Sequence, residues 1–232
     1  MLRTELRKLA EPERATTLSR YFQTGPGQYA EGDVFWGVSM PRIRSLVRPW
    51  RDKIPPEELL PLLQDPTHEC RMLALLIWVA QYPKLSATER QRLVNGYLAQ
   101  LAFVNNWDLV DLSAPHLVGR HLYETTTNRQ LLDQLAAIPH LWSQRVAIVA
   151  TLYLIKKGQF DDVERVSVLL LHHPHHLIHK AIGWMWREVG KQDRERLEYF
   201  LHQHIRDLPR TSLRYAIEHF TPRQRSYYLS LR

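Results

Sequence analysis

Apolar segments recur along this chain at nearly constant intervals, and one basic or aromatic residue stands at the same place in each. The five marker residues are Arg71, Trp107, Arg145, Lys180 and Arg214. Successive markers are 36, 38, 35 and 34 residues apart. A period in the thirties, with two helical patterns and a short break in each unit, is typical of a helical repeat array. The residue pattern of tetratricopeptide repeats is missing, so the spacing favours HEAT-like units.

Helix start and stop signals fall between the apolar segments. Ser86-Ala87-Thr88-Glu89 has the form of a capping box, and Ser39 before Pro41 predicts a helix start. Gly190 stands where a helix should end, and most prolines lie between the periodic segments. No alternating run bounded by hairpin dipeptides stands out. We therefore predict an all-α fold, a curved HEAT-like helical repeat solenoid, as a single domain over residues 1–232.

The composition fits a reducing compartment. With 44% hydrophobic residues, the 232-residue chain can bury a continuous core. Its one cysteine, Cys70, excludes a disulfide framework and a multi-cysteine zinc site. Residues 1–8 mix charges without an apolar core, and the apolar runs are too short for a bilayer. We expect a cytoplasmic protein without a membrane partner.

The charge of the chain suggests a polyanionic partner, since the net charge is +7 and the pI is near 9.6. Because the markers occupy equivalent places in successive repeats, we expect them to line one concave surface. Further cations that can widen this surface are Arg42, Arg44, Arg48, Arg120, Lys156, Lys157 and Arg187. Dispersed basic residues are also typical of solvated helix faces, so charge by itself leaves both interpretations open.

The segment Asn105–Asp111 places an indole and a carboxylate four residues apart at a predicted helix start. On a helix, Trp107 and Asp111 lie on the same face. A preceding asparagine can cap this helix, and Asp108 in its first turn complements the helix dipole. Asp111 has apolar neighbours and shares its face with an aromatic ring, which makes it a candidate site residue. A core tryptophan beside a carboxylate paired with an arginine is the structural alternative.

Histidines cluster between residues 172 and 179, in two pairs with four-residue spacing. Zinc sites use such spacing, but Pro174 interrupts the first pair and no carboxylate lies at ligand spacing. We expect no metal and no cofactor. Contact with phosphate, or plain solvent exposure, is favoured for these histidines.

Three motifs resemble the signature blocks of one enzyme family. They are Asn106-Trp107-Asp108-Leu109-Val110-Asp111, Trp142-Ser143-Gln144-Arg145-Val146-Ala147 and His179-Lys180-Ala181-Ile182-Gly183-Trp184-Met185-Trp186-Arg187-Glu188. Weaker matches at residues 37–44 and 68–74 extend the likeness over nearly the whole chain. Together these motifs look like the blocks of the AlkD-type DNA alkylation repair glycosylases.

The resemblance implies a curved solenoid that grips duplex DNA and hydrolyses the N-glycosidic bond of cationic N3- or N7-alkylpurines, without a base-flipping pocket. It implies a catalytic set of Trp107, Asp111, Arg145 and Trp184. The predicted DNA-binding residues are Arg42, Arg44, Arg71, Arg145, Lys180, Arg187 and Arg214. The predicted partner is duplex DNA with alkylated purines, bound by a monomer.

The implied chemistry calls for these residue types. A purine alkylated at N3 or N7 is cationic and leaves without protonation, so the oxocarbenium character of the deoxyribose is what a carboxylate must stabilise. Asp111 is the candidate for that role. Trp107 and Trp184 can pack their ring faces on the sugar and attract positive charge. Arg145 can hold the phosphate beside the lesion.

The N-terminal region departs from the family pattern. A Gly-rich loop from Gly25 to Asp33 and the pair Phe35-Trp36 stand where the family continues a helix. We expect them to reshape or partly close the DNA cleft. A non-catalytic HEAT-like module that binds damaged or branched DNA, or a protein partner, is the alternative function.

Overall fold

The computed structural model describes residues 1–126 and 128–231, and over these residues the fold is all-α, as predicted. Helices and turns make up the described chain, and its isolated β-bridge joins Val34 to Thr67. The chain forms two compact units, the N-terminal unit Met1–Ser113 and the C-terminal unit Ala114–Arg232. The single domain expected for residues 1–232 stays a prediction. Within the described residues, no helix combines the length and the apolar character that a membrane span needs.

The N-terminal unit contains seven α-helices within its described residues, the last of which ends one residue beyond the unit. They are α1 (Leu2–Arg7), α2 (Pro12–Tyr21), α3 (Met40–Trp50), α4 (Leu60–Leu63), α5 (His68–Gln81), α6 (Ala87–Ala99) and α7 (Trp107–Ala114). Short 3-10 turns are present at Pro56–Leu59, Tyr82–Lys84 and Leu101–Phe103.

Helix α5 is the centre of the N-terminal unit. Every residue from His68 to Trp78 is buried, because α1, α3 and α4 all pack on this helix. A helix that is covered on all sides is apolar around its whole circumference, which explains the uninterrupted apolar run after Arg71. The Trp78 indole N–H donates to the Pro56 carbonyl oxygen at 2.9 Å, so even its polar atom has a partner.

The helix signals in the sequence are mostly correct. The capping box at Ser86 is present, since its hydroxyl accepts the Glu89 N–H at 3.4 Å and the Glu89 carboxylate accepts the Ser86 N–H at 2.8 Å. Ser39 directly precedes α3, as expected. The helix end predicted at Gly190 is wrong, because the helix continues to Gln192. The glycine instead makes room for a neighbouring side chain: a Cβ there would lie 2.4 Å from Leu197 Cδ2.

The C-terminal unit begins with a π-helical segment at Pro115–Gly119. Its α-helices are α8 (Arg120–Thr125), α9 (Gln130–Ala137), α10 (Leu141–Ile155), α11 (Asp161–Leu169), α12 (His176–Gln192), α13 (Arg194–His204), α14 (Arg210–Ala216) and α15 (Pro222–Ser230).

Three helices of the C-terminal unit follow the repeat spacing. Helix α12 packs on both α10 and α14, and α11 and α13 lie between these helices in sequence. Arg145, Lys180 and Arg214 each lie four residues after the first residue of their helix. The regular spacing of these three markers therefore reflects successive helices with the same register.

Gly183 sets the closest approach between α12 and α14. A Cβ at this position would lie 2.4 Å from the Ser212 carbonyl oxygen and 2.5 Å from Tyr215 Cβ. Only a residue without a side chain permits this separation of the two helix backbones.

Replacement of Gly183 by alanine tests this packing. The added methyl group meets main chain that cannot rotate away, so we expect Gly183→Ala to lower the free energy of unfolding by about 1–3 kcal/mol in urea. Gly96→Ala is the matched control, because Gly96 lies inside α6 with no atom within 4 Å of the added Cβ. There alanine should raise the free energy of unfolding by about 0.5–1 kcal/mol. Equal effects of the two changes would contradict the close contact.

Candidate functional site

The first turn of α7 is held by side chains of its own sequence. Asn106 Oδ1 accepts the main-chain N–H of Trp107 at 2.8 Å, and Asp108 Oδ1 accepts that of Leu109 at 2.8 Å. Main-chain N–H groups at a helix start lack partners within the helix, so these bonds stabilise the start. The helix begins after Asn106 with Asp108 in its first turn, as predicted.

Trp107 and Asp111 are one helical turn apart on α7. Both side chains are partly exposed, whereas Leu109 and Val110 between them are buried. The indole and the carboxylate therefore share a side of α7 that is not fully packed into the core. Burial raises the pKa of the Tyr97 phenol, the hydrogen bond with Ser113 opposes this shift, and the negative charge of Asp111 adds to it.

The ring of Trp107 is held by aromatic residues from the N-terminal region. It stacks on Phe22 with ring centroids 5.4 Å apart, and Tyr21 approaches it edge-on at 6.2 Å. Phe22 in turn stacks on Phe35 at 5.1 Å. Each such pair adds a directional contribution beyond burial, of about 0.5–1.5 kcal/mol. Trp107 is thus the outer member of an ordered stack rather than an isolated ring.

The non-helical loop expected before residue 34 is present beside Trp107. Gly27 and Gly32 have φ angles of 72° and 83°, which glycine adopts without strain. The turns bring Tyr29 and Ala30 against the cluster that contains Trp107. The effect of this loop on a DNA cleft stays a prediction.

A buried network of charged groups lies behind the aromatic stack. The His68 ring nitrogens lie 3.2 Å from Asp33 Oδ2 and 2.9 Å from Asp108 Oδ2. Asp33 Oδ1 also pairs with Arg71 Nη2 at 2.6 Å and accepts from Asn105 Nδ2 at 3.1 Å. The network joins the start of α5 to the first turn of α7.

The two carboxylates hold His68 in its charged form. Burial opposes the positive charge, but attraction to Asp108 and hydrogen bonds to Asp108 and Asp33 outweigh it and raise the pKa of His68 to about 9. Burial also opposes the charge on Asp33, yet the hydrogen bond from His68 and the charge of Arg71 lower its pKa. At neutral pH both ring nitrogens of His68 therefore donate. Sequence reasoning missed this group, because its partners are 35 and 40 residues away.

The neighbouring Glu69 holds the extended segment of residues 36–38, which follows the loop, by hydrogen bonds. Its buried carboxylate accepts the main-chain N–H groups of Trp36, Gly37 and Val38 at distances of 2.7 to 3.1 Å. Gly37 has a φ of 81°, and a Cβ there would lie 2.1 Å from the Glu11 carbonyl oxygen. The segment and the start of α2 are therefore in direct contact, which fixes the helix that ends at the Trp107 stack.

Two arginines of the predicted set are buried, each with 4% of its surface exposed. Arg71 pairs with Asp33, and Arg145 Nη1 donates to the Leu177 carbonyl oxygen at 2.6 Å. Neither side chain is open to solvent, and the expectation that both lie on one concave surface stays a prediction. Equal spacing identifies equivalent helix positions, but it does not reveal the internal acceptors that these guanidinium groups meet. Their contacts with DNA stay predictions.

The other predicted residues of the C-terminal unit lie on α12 and α14. Trp184 and Lys180 are partly exposed on α12, and Arg214 is exposed on α14. Arg187 pairs with Glu218 from the segment after α14. Since Arg145 bonds the carbonyl of the second residue of α12, this arginine helps to position the helix that carries Trp184.

The predicted cations of the N-terminal unit differ in their surroundings. Arg42 and Arg44 are both exposed on α3. Arg42 forms an ion pair with Glu11 at 2.5 Å. Exposed pairs of this kind contribute little to stability, so Arg42 can exchange its partner at low energetic cost.

The histidines of this cluster form hydrogen bonds with main-chain atoms of their own segment. His175 Nδ1 accepts the Leu177 N–H at 3.1 Å at the start of α12, and His173 Nδ1 accepts the His175 N–H at 3.0 Å. His179 Nε2 donates to the His173 carbonyl oxygen at 2.5 Å. Burial, followed by the neighbouring charges, lowers the pKa of His175 to about 4. Within the described residues, no group of three or more histidine, cysteine, aspartate or glutamate side chains is arranged to hold a metal ion.

Comparison with known proteins gives the family. A family model described as DNA alkylation repair enzyme matches residues 2–220. The chain belongs to this family. The membership inferred from the three motifs is thereby confirmed, and the chain is a DNA alkylation repair enzyme by family.

A solved structure supports the fold. The chain is similar to a predicted DNA alkylation repair enzyme from Enterococcus faecalis, with a TM-score of 0.71 and 21% sequence identity. The match covers 92% of this chain and 97% of the other. At this identity the likeness concerns the fold. A comparison with curated proteins gave no match.

The charged state of His68 predicts a pH dependence of stability. The folded chain retains a proton up to about pH 9 that the unfolded chain releases near its ordinary pKa of 6.5. The contribution of His68 to the free energy of unfolding is therefore full below pH 6.5 and is lost as the pH rises through 9. It amounts to at most about 3 kcal/mol. Urea unfolding at intervals from pH 6 to 10 measures it. In His68→Gln, the fall in the free energy of unfolding between pH 6.5 and pH 9 should be smaller. The same fall in that variant as in the wild type would assign the effect to another group.

Proposed function

We propose that this DNA alkylation repair family member is a glycosylase that hydrolyses the N-glycosidic bond of cationic N3- and N7-alkylpurines in duplex DNA. The observation that carries the proposal is the pair Trp107 and Asp111, one turn apart on a side of α7 that is partly exposed. An open helix surface suits a reaction on a base that is not rotated into a pocket, so we propose catalysis without base flipping.

In the proposed reaction, Asp111 acts through its negative charge. An alkylated purine is cationic and leaves as a neutral base, so no general acid is required. As the glycosidic bond breaks, positive charge moves to the deoxyribose, where a fixed carboxylate stabilises it. Asp111 can also orient the attacking water, whose oxygen bonds to the anomeric carbon while a proton passes to solvent. The products are the free base and an abasic sugar.

The indole rings and Arg145 have supporting roles in this proposal. The stack on Phe22 and Phe35 keeps the Trp107 ring in one orientation, in which its face attracts a cationic sugar. Trp184 on α12 has the same role by its resemblance to the family motif. Arg145 is proposed to bind phosphate, and its bond to Leu177 also steadies α12.

The non-catalytic alternative is supported by one specific observation. Arg145, the residue expected to hold a phosphate, is buried and bonded to the main chain. A module that binds damaged or branched DNA, or a protein, does not need Arg145 to contact a phosphate. The excision experiment below separates the two functions.

Asp111→Asn tests the catalytic role. The change keeps the shape and removes the charge, so excision of 7-methylguanine from methylated duplex should fall by about 10²-fold or more, while duplex affinity stays similar or rises. Released bases are measured by chromatography under single-turnover conditions. Asp207→Asn, which removes an exposed carboxylate of the C-terminal unit, is the matched control and should keep wild-type rates.

Two results would decide against the proposal. Near-wild-type excision by Asp111→Asn would remove Asp111 from catalysis. No excision by the wild type at high enzyme concentration would favour the binding module. Uracil, a neutral base, should be a poor substrate of the wild type, because no general acid is proposed.

DNA binding should depend steeply on salt, because the net charge is +7 and the proposed contacts are cations with phosphates. Removal of one phosphate contact lowers the slope of log affinity against log salt by about one unit. We expect this change for Arg214→Ala, measured by fluorescence anisotropy with an unmodified duplex. Arg223→Ala, an exposed cation outside the predicted set, is the control and should change the slope less. Equal slopes for both variants and the wild type would exclude Arg214 from the contact.

A further inference from the structure

His68 is connected to Trp107 and its helix by three separate routes. Through Asp108, one carboxylate oxygen accepts from His68 and the other accepts the Leu109 N–H in the first turn of α7. Through Asp33, the histidine is linked to Asn105, two residues before the helix begins. The imidazole and its two carboxylates thus hold the α7 start from both sides.

The third route runs through aromatic rings. The His68 ring stacks on Phe35 with centroids 4.6 Å apart and lies 5.1 Å from the Phe22 ring. Phe22 is also the ring on which Trp107 stacks. A change in the orientation of His68 therefore reaches both the backbone and the ring of Trp107.

The burial of this group makes the links stiff. The side chains of His68 and Asp33 are 4% and 2% exposed, and Asp108 is 16% exposed. Ion pairs removed from water are strong and directional, and loss of one partner leaves a buried charge without compensation. Arg71 is a further charged group in this network, and it pairs with the other oxygen of Asp33.

We propose that His68 is a positioning residue of the glycosylase reaction, which fixes the Trp107 ring and the first turn of α7 through Asp33 and Asp108. This inference rests on the proposed function. His68 does not contact the substrate. It acts through α7, so that Trp107 and Asp111 have one fixed geometry when DNA binds. Preorganised groups of this kind contribute through orientation, and a displacement of about 1 Å can lower a rate by about 10²-fold.

The first experiment measures excision. His68→Gln should lower the single-turnover rate for 7-methylguanine by about 10- to 100-fold, with duplex affinity changed by less than about twofold. Asp108→Asn removes the anion from one route while His68 remains, and should give a similar loss. Gln81→Met is the matched control: Gln81 is also buried on α5, and its amide donates to the Arg51 and Ile54 carbonyl oxygens. It should lose stability without losing rate.

A double-mutant cycle tests the route through Asp108. If His68 acts through this carboxylate, the variant with both His68→Gln and Asp108→Asn should lose no more rate than the more impaired single variant. Multiplied losses would overturn the route, and wild-type excision by His68→Gln would overturn the proposal.

A second readout does not depend on activity. In protein labelled with fluorotryptophan, the fluorine NMR signal of Trp107 is identified by its loss in Trp107→Phe. It should shift as the pH rises through about 9, where His68 loses its proton, and this titration should be absent in His68→Gln. A Trp107 signal that does not change with pH would contradict the positioning role. If the wild type excises nothing, the proposed function fails, and this signal alone decides whether His68 positions Trp107.

Discussion

The ion pairs of one buried histidine determine how the N-terminal unit is put together. His68 carries a positive charge where water is excluded, a state that is favourable only because Asp33 and Asp108 accept from both of its ring nitrogens. These carboxylates come from the loop before residue 34 and from the first turn of α7. Since a lone buried charge costs several kcal/mol, the three segments must assemble together or the charge is lost.

The aromatic stack depends on the same assembly. Phe22 contacts both the Trp107 ring and the His68 ring, and Phe35, which follows the turns at Gly27 and Gly32, stacks on it. Glu69 secures the next segment by accepting three consecutive main-chain N–H groups. Two adjacent residues at the start of α5, His68 and Glu69, thereby fix the loop that ends at Asp33 and the segment that follows it. Trp107 receives its orientation from that region.

The C-terminal unit uses its polar groups differently. Arg145 donates a hydrogen bond to the Leu177 carbonyl oxygen, and His175 accepts the N–H of the same residue. Both groups therefore stabilise the first turn of α12, the helix that carries Lys180 and Trp184. Residues that look like surface cations and ligands in the sequence serve the geometry of a helix start. These two hydrogen bonds already orient α12, so the role proposed for Trp184 needs no further contact to position its helix.

Local sequence determined much of this protein. Three signals depend on residues within about four positions of one another, so they could be predicted without knowledge of the tertiary structure. They are the helical periodicity, the capping box at Ser86 and the cap at Asn106 before α7. The repeat spacing identified equivalent positions in α10, α12 and α14, and the motifs identified the family. Only the tertiary structure decided that Arg71 is buried and that α12 passes Gly190. It also decided that His68 meets two carboxylates 35 and 40 residues away. Such pairings depend on how helices pack, and helical periodicity gives the face of a residue but not the partner that lies opposite.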